Sequence, residues 1–196
     1  MPRATLDKLI SWMGLLLAIV LLVAGGLLTW ASFFINDQVD QQLSDQQITM
    51  PTEEALAGDE ALSEEDREAL APYAGEVMNT GAEARAYADH FILAHLNAST
   101  GGETYSSLGG VVREACAEPE SDACAEANAL RDTAFKGSTL RGLLLYGYAF
   151  ATMGTIAGYA AIAAFLGSAL LFVLAVLGFQ HARKAETAET VPAATT

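Results

Sequence analysis

The residues able to do chemistry are few. They are three histidines (His90, His95, His181), two cysteines (Cys116, Cys124), the acidic run GDEALSEEDRE at 58–68 and the Gly-rich run GGETYSSLGG at 101–110. The cysteines are seven residues short of adjacency, too far apart for a C-x-x-C redox pair. They suit a short disulfide clasp in a compartment that permits one, and two thiols alone make a poor metal site. The acidic run lacks the alternating ligands and central Gly of an EF-hand loop, so it reads as a solvated helix face. The Gly-rich run lacks the P-loop Lys and follows no strand, so it reads as a turn leading into a helix near Thr104. No G-x-S-x-G elbow and no H-E-x-x-H pair occurs. These residues point to no catalytic site, no metal site and no cofactor.

The elements that hold these residues follow from charge and hydropathy. The chain has 196 residues and a formal net charge of −14. Two uncharged apolar blocks, residues 9–35 and 142–180, bracket an acidic middle. Residues 36–141 hold 21 Asp and Glu against 6 Lys and Arg. Such a surface repels nucleic acid phosphates and anionic lipid headgroups. In the first block Trp12 and Trp30 stand 18 residues apart, about 27 Å of helix, which places an indole at each edge of a bilayer core. The block exceeds the apolar length of a signal peptide and no convincing cleavage site follows, so an uncleaved anchor is expected. Basic residues flank the far ends: Arg3 and Lys8 before the first block, Arg183 and Lys184 after the second. The positive-inside rule then puts both termini in the cytoplasm and 36–141 outside the plasma membrane. Residues 1–8 form a cytoplasmic N-terminus and 181–196 a disordered cytoplasmic tail.

The second block is 39 residues long, almost twice what a span needs. No turn signal divides it, so it reads as one helix with its span at about 160–179 and Tyr159 at the outer interface. Residues 142–158 are then apolar yet outside, and something must cover them. The first helix continues likewise, with Phe34, Ile35, Val39 and Leu43 on one stripe. The fold expected is all-α: two transmembrane helices extended into an outer stalk, with a small helical extracytoplasmic domain between them.

Within that domain Thr52 and Ser63 read as N-caps, and Thr80 with Glu83 as a capping box. Ala84, Tyr87, Ala88, Phe91, Ala94 and His95 fall on one face of the helix that follows, while Asp89 and His90 are expected to face water. Asn97 to Gly102 ends that helix. Met50 before Pro51 is extended.

Three strings taken together carry a resemblance: LTWASFFINDQVDQQLSDQQITMPTEEALAG, AYADHFILAHLNASTGGETYSSL and STLRGLLLYGYAFATMGTIAG. In that order they resemble a family of small actinobacterial two-span membrane proteins of unknown function. The chain departs from the family pattern by an acidic insertion at 59–73 and by the Cys116–Cys124 loop. Members often carry the label of an aromatic ring-opening dioxygenase. Such iron(II) chemistry needs two His and a carboxylate. His90 and His95 are five residues apart, about 140° around a regular helix, and His181 lies across the membrane. The residues therefore argue against the label, and His95 is expected to pack against the stalk.

Gly154 and Gly158 form a G-x-x-x-G pair that Ala151 and Ala161 extend into a small-residue ridge. It suits contact with the first helix, with a second copy or with another membrane protein. Neither span carries an ionisable residue, which argues against an ion pathway. The function expected is that of a non-enzymatic accessory or interaction subunit of a larger membrane or envelope complex. The alternative is a ligand-binding or sensing domain with a pocket lined by Tyr87 and Phe91, working through a partner.

Overall fold

The computed structural model describes residues 3–189. Its α-helices are α1 Arg3–Ser44, α2 Glu53–Gly58, α3 Glu64–Leu70, α4 Gly81–Ala86, α5 Leu93–Thr100, α6 Tyr105–Ala115 and α7 Asp122–Glu189. A 3-10 turn, Ala71–Tyr73, follows α3, and a π-helical stretch, Tyr87–Ile92, joins α4 to α5. Among the described residues there is no strand, only a single bridge between Thr49 and Val77. Helices α1 and α7, of 42 and 68 residues, are long and apolar enough to cross a membrane.

The chain divides into two compact units. The first joins Met1–Phe34 to Gly154–Thr196. It is an antiparallel helix pair, and its seam is built from small residues. Ala18, Ala161, Ala175 and Ala182 are buried there, with Ser11 and Ser168. Two serines donate across the seam to backbone carbonyls: Ser168 Oγ to Ala18 O at 2.7 Å and Ser32 Oγ to Gly154 O at 2.7 Å. A Cβ on Gly25 would come within 2.9 Å of the Phe165 ring. Close approach of this kind lets dispersion and hydroxyl–carbonyl bonds hold two helices without a core of large side chains. The large side chains point the other way. Leu16, Val20, Leu27, Phe33, Leu166 and Leu170 are between 60% and 73% exposed.

The second unit, Ile35–Met153, has the opposite arrangement. Met50, Leu70 and Met78 are wholly buried in a core completed by Val39 and Leu43 from α1 and Leu144 from α7. Its short helices depend on their caps. Thr52 Oγ1 accepts from the Ala55 N–H at 3.3 Å. Ser63 and Asp66, Thr80 and Glu83, and Thr104 and Ser107 each close a reciprocal capping box. Each cap contributes about 1 kcal/mol to a helix too short to persist alone. The Arg67 guanidinium donates to the Leu56 and Asp59 carbonyls at 2.9 and 2.7 Å, which satisfies the C-terminal end of α2. Backbone bonds from Met50 N–H to Glu76 O and from Met78 N–H to Ile48 O fasten the extended segment before Pro51. Gly101, at φ +64°, ends α5 in the left-handed conformation that glycine adopts without strain.

One expectation needs correction. The tail was expected to be disordered from residue 181, yet α7 continues through Glu189. The segment HARKAETAE is rich in good helix formers, and Lys8 Nζ meets Glu186 at 2.8 Å. Residues 190–196 lie outside the described residues.

Glycines offer a direct test of this packing. A Cβ on Gly81 would collide with the Ala151 methyl and reach within 3.1 Å of the Tyr148 Cα. Gly81→Ala is expected to destabilise the full chain in detergent by about 1–3 kcal/mol, because backbone must move. Gly109 sits inside α6 with open space around it. Gly109→Ala should stabilise by about 0.5–1 kcal/mol. Thermal unfolding followed by circular dichroism checks both.

Candidate functional site

Each histidine of the second unit is paired with a carboxylate. His90 Nδ1 lies 2.9 Å from Asp66 Oδ1, and His95 Nε2 lies 3.0 Å from Asp59 Oδ2. Both carboxylates belong to the acidic run, so two His–Asp pairs fasten the α2–α3 segment to the helix that runs from Gly81 to Thr100. The second nitrogen of His95, Nδ1, lies 2.7 Å from the Phe91 carbonyl. Asp89 accepts from Arg141 Nη2 at 2.7 Å and sits 3.7 Å from Arg85. Arg85 lies over the Tyr148 ring, 4.9 Å from its centroid, and donates to its hydroxyl.

These contacts bear on three expectations. Asp89 and His90 do not face open water, because each is partnered and about a quarter exposed. His95 meets Asp59, and its ring lies 4.3 Å from the Phe91 ring, tilted by 41°. The two histidines do reach the same segment although a regular helix would set them about 140° apart. The cause is the π-helical stretch Tyr87–Ile92. Its i→i+5 bonding widens the turn and carries residues five apart back towards one side. Even so, no group of three or more metal-ligating side chains occurs among the described residues.

The aromatic face expected to line a pocket is packed instead. Tyr87 and Phe91 stack at 4.7 Å and lie against the core. Burial pushes the Tyr87 phenol above its ordinary pKa. A cavity of about 290 Å³ lies in the first unit, lined by Asp7, Ile10, Ser11, Leu174 and His181 among others.

The remaining candidates occupy definite places. Cys116 and Cys124 are joined in a disulfide between the end of α6 and the start of α7. Arg131 ties the same two helices, stacking on Tyr105 at 4.4 Å and donating to its hydroxyl at 3.1 Å. Gly154 is buried and its carbonyl accepts from Ser32, while a Cβ on Gly158 would meet the Ser32 hydroxyl at 3.1 Å. Ala161 is buried in the same seam. Ala151 belongs to the second unit, against Gly81. Trp12 and Phe179 meet edge to face at 5.6 Å. Trp30 and Tyr159 are 65% and 70% exposed, and the Ser32–Gly158 and Gly25–Phe165 contacts put them at one level of the pair. Arg183 and Lys184 are exposed.

No family model, curated protein or solved structure matches the chain.

Asp66 gives a pH test. Burial acts to raise its pKa, but hydrogen bonds from Ser63 and His90 outweigh that and hold it below the ordinary 3.8. A carboxylate depressed in the folded state contributes stability above its unfolded pKa and loses it as pH falls through the folded one. The full chain should therefore be more stable than Asp66→Asn at about pH 5, and the gap should close towards about pH 2. Denaturant titrations at a series of pH values measure it. A gap that stays constant into acid would contradict the role assigned to Asp66.

Proposed function

We propose that the chain is a plasma-membrane protein with two spans and both termini in the cytoplasm. Its acidic helical domain stands outside the cell and works as a non-enzymatic interaction subunit of a larger membrane or envelope complex. The resemblance to the actinobacterial two-span family belongs to the same reading. One observation carries the membrane part: the first unit is inside out. Alanine, serine and glycine fill its seam, while leucine, valine and phenylalanine cover its surface. In water that surface would be a large aggregation liability. In hydrocarbon it is the expected lipid face. Trp30 with Tyr159 and Trp12 with Phe179 suit the two aromatic belts, and Arg183 and Lys184 suit the inner side.

The interaction role is supported by where the polar chemistry goes. His90, His95, Asp59, Asp66, Asp89 and Arg141 are tied into pairs that hold helices together. Tyr87 and Phe91 are packed against the core rather than arranged around a cavity. A segment rich in acid, presented on two membrane helices, suits recognition by a partner more than turnover of a substrate.

The test is purification from native membranes. A chain tagged at its C-terminus is crosslinked in intact cells and isolated in mild detergent. A stoichiometric second protein is expected in the eluate. Recovery with no second protein, after efficient crosslinking, would contradict the accessory role. An impermeant label applied to intact cells should modify an engineered cysteine at Glu103, and spare one at Thr187.

A further inference from the structure

The two His–Asp pairs of the second unit are not alike, and hydrogen-bond roles separate them. His95 has both ring nitrogens engaged. Its Nδ1 lies 2.7 Å from the Phe91 carbonyl oxygen, and its Nε2 lies 3.0 Å from Asp59 Oδ2. A carbonyl oxygen and a carboxylate oxygen are both acceptors. A neutral imidazole has one N–H and serves only one of them. Only the imidazolium, which donates from both nitrogens, satisfies both contacts at once. The His90 pair makes no such demand, because a single N–H on Nδ1 of the neutral ring suffices to donate to Asp66 Oδ1 at 2.9 Å. Asp59 is itself fixed in the turn between α2 and α3. Its Oδ1 accepts from the Ala61 N–H at 3.0 Å, and its carbonyl accepts from Arg67.

The other charges around His95 are engaged elsewhere or turned outward. On the α2–α3 segment Arg67 is bound to the Leu56 and Asp59 carbonyls and lies 3.8 Å from Glu64, and Asp66 is on His90. Arg85 and Arg141 are both on Asp89. Helix α7 packs on α5 at Gly137, where a Cβ would come within 2.8 Å of Leu96. There Lys136 is on Asp132 at 2.6 Å. Glu60 and Glu103 are exposed. Among the described residues, Asp59 is the one charged group at ion-pair distance from the His95 ring.

We infer that His95 and Asp59 form a proton-gated latch on the α2–α3 segment, closed while both ring nitrogens of His95 carry a proton and released when the Nε2 proton passes to water. Nδ1 keeps its proton, because the Phe91 carbonyl holds it. The bare Nε2 lone pair then faces the carboxylate, and neither group has a hydrogen to offer the other. Imidazole changes charge between about pH 5 and 8, and the His95 side chain is 39% exposed, so water reaches it. The latch is shut at the acid end of that range and lost as pH rises. Asp66 works in the opposite sense and in stronger acid, where its contribution is lost as pH falls. Arg67 and the buried Leu56, Leu62 and Leu70 still hold the segment when the latch opens. Opening is therefore a local loosening around Asp59. The inference concerns the second unit alone and does not depend on which side of a membrane carries it.

Two measurements on the full chain in detergent test it. The first is nitrogen-15 NMR of the histidine rings, with the His95 signals assigned by their loss in His95→Gln. His95 should be protonated on both nitrogens at about pH 5 and be the Nδ1–H tautomer at about pH 8.5. The second is hydrogen exchange of the amides of residues 56–62, corrected for the intrinsic rate. Their protection should fall about fivefold between those two pH values, the size of a part-exposed ion pair. Asp59→Asn puts a donor where the carboxylate was, so its amide N–H meets the neutral Nε2 while its oxygen keeps the Ala61 bond. Protection in this variant should change less than about twofold over the same range. An Nε2–H tautomer at the alkaline end overturns the latch, as does protection of the unmodified chain that ignores pH, or an equal fall in Asp59→Asn. The ring signals of the unmodified chain decide the question even where Asp59→Asn fails to fold.

Discussion

The two long helices must hide or solvate apolar side chains along most of their length, and size decides where each one goes. In the first unit, glycine, alanine and serine line the seam and let the backbones approach. The Ser32 and Ser168 hydroxyls then reach carbonyls on the opposite helix. Leucine, valine and phenylalanine are left outside. Two isolated helices in water gain little from such a seam, because the apolar area they bury is small. In hydrocarbon the outward residues need no cover, and the seam gains its dispersion and hydrogen bonds without competition from water.

The second unit follows ordinary soluble logic, and its helices supply each other's missing interactions. Helices α2 and α3 have six and seven residues, too few to persist alone. They are held by caps at Thr52 and Ser63, by Arg67 on the end of α2, and by the leucines Leu56, Leu62 and Leu70 in the core. His90 and His95 then fix the segment to the helix beside it. The acidic run is thus a fastened strap. Asp59 and Asp66, the two carboxylates that reach the histidines, serve the fold.

Much of this was legible in local sequence. Thr80 with Glu83 announces a helix start, Gly101 a helix end, and two lone cysteines in the acidic middle segment a disulfide. Each signal is local and each has one physical meaning. Other features were hidden because they depend on contacts distant in sequence. Nothing in YADHFI spells a π-helical turn, so the meeting of both histidines with one acidic segment could not be read from a 3.6-residue repeat. A need for cover over residues 142–158 was legible, but not its source. Gly81 gave no sign that α4 begins against Ala151. Helix through Glu189 was missed because a polar tail with no apolar stripe reads as coil.

The most direct test of the central claim is a nitroxide scan of the first unit in lipid vesicles. Spin labels are placed singly at Val20, Leu27, Leu166 and Leu170, all outward, and power saturation is measured with oxygen and with a water-soluble nickel chelate. The inside-out pair predicts high oxygen and low nickel accessibility at all four, with the oxygen preference weakening at Trp30 and Tyr159. High nickel accessibility at Leu27 or Leu166 would mean that this face meets water, and the account of the fold as a membrane helix pair would be wrong.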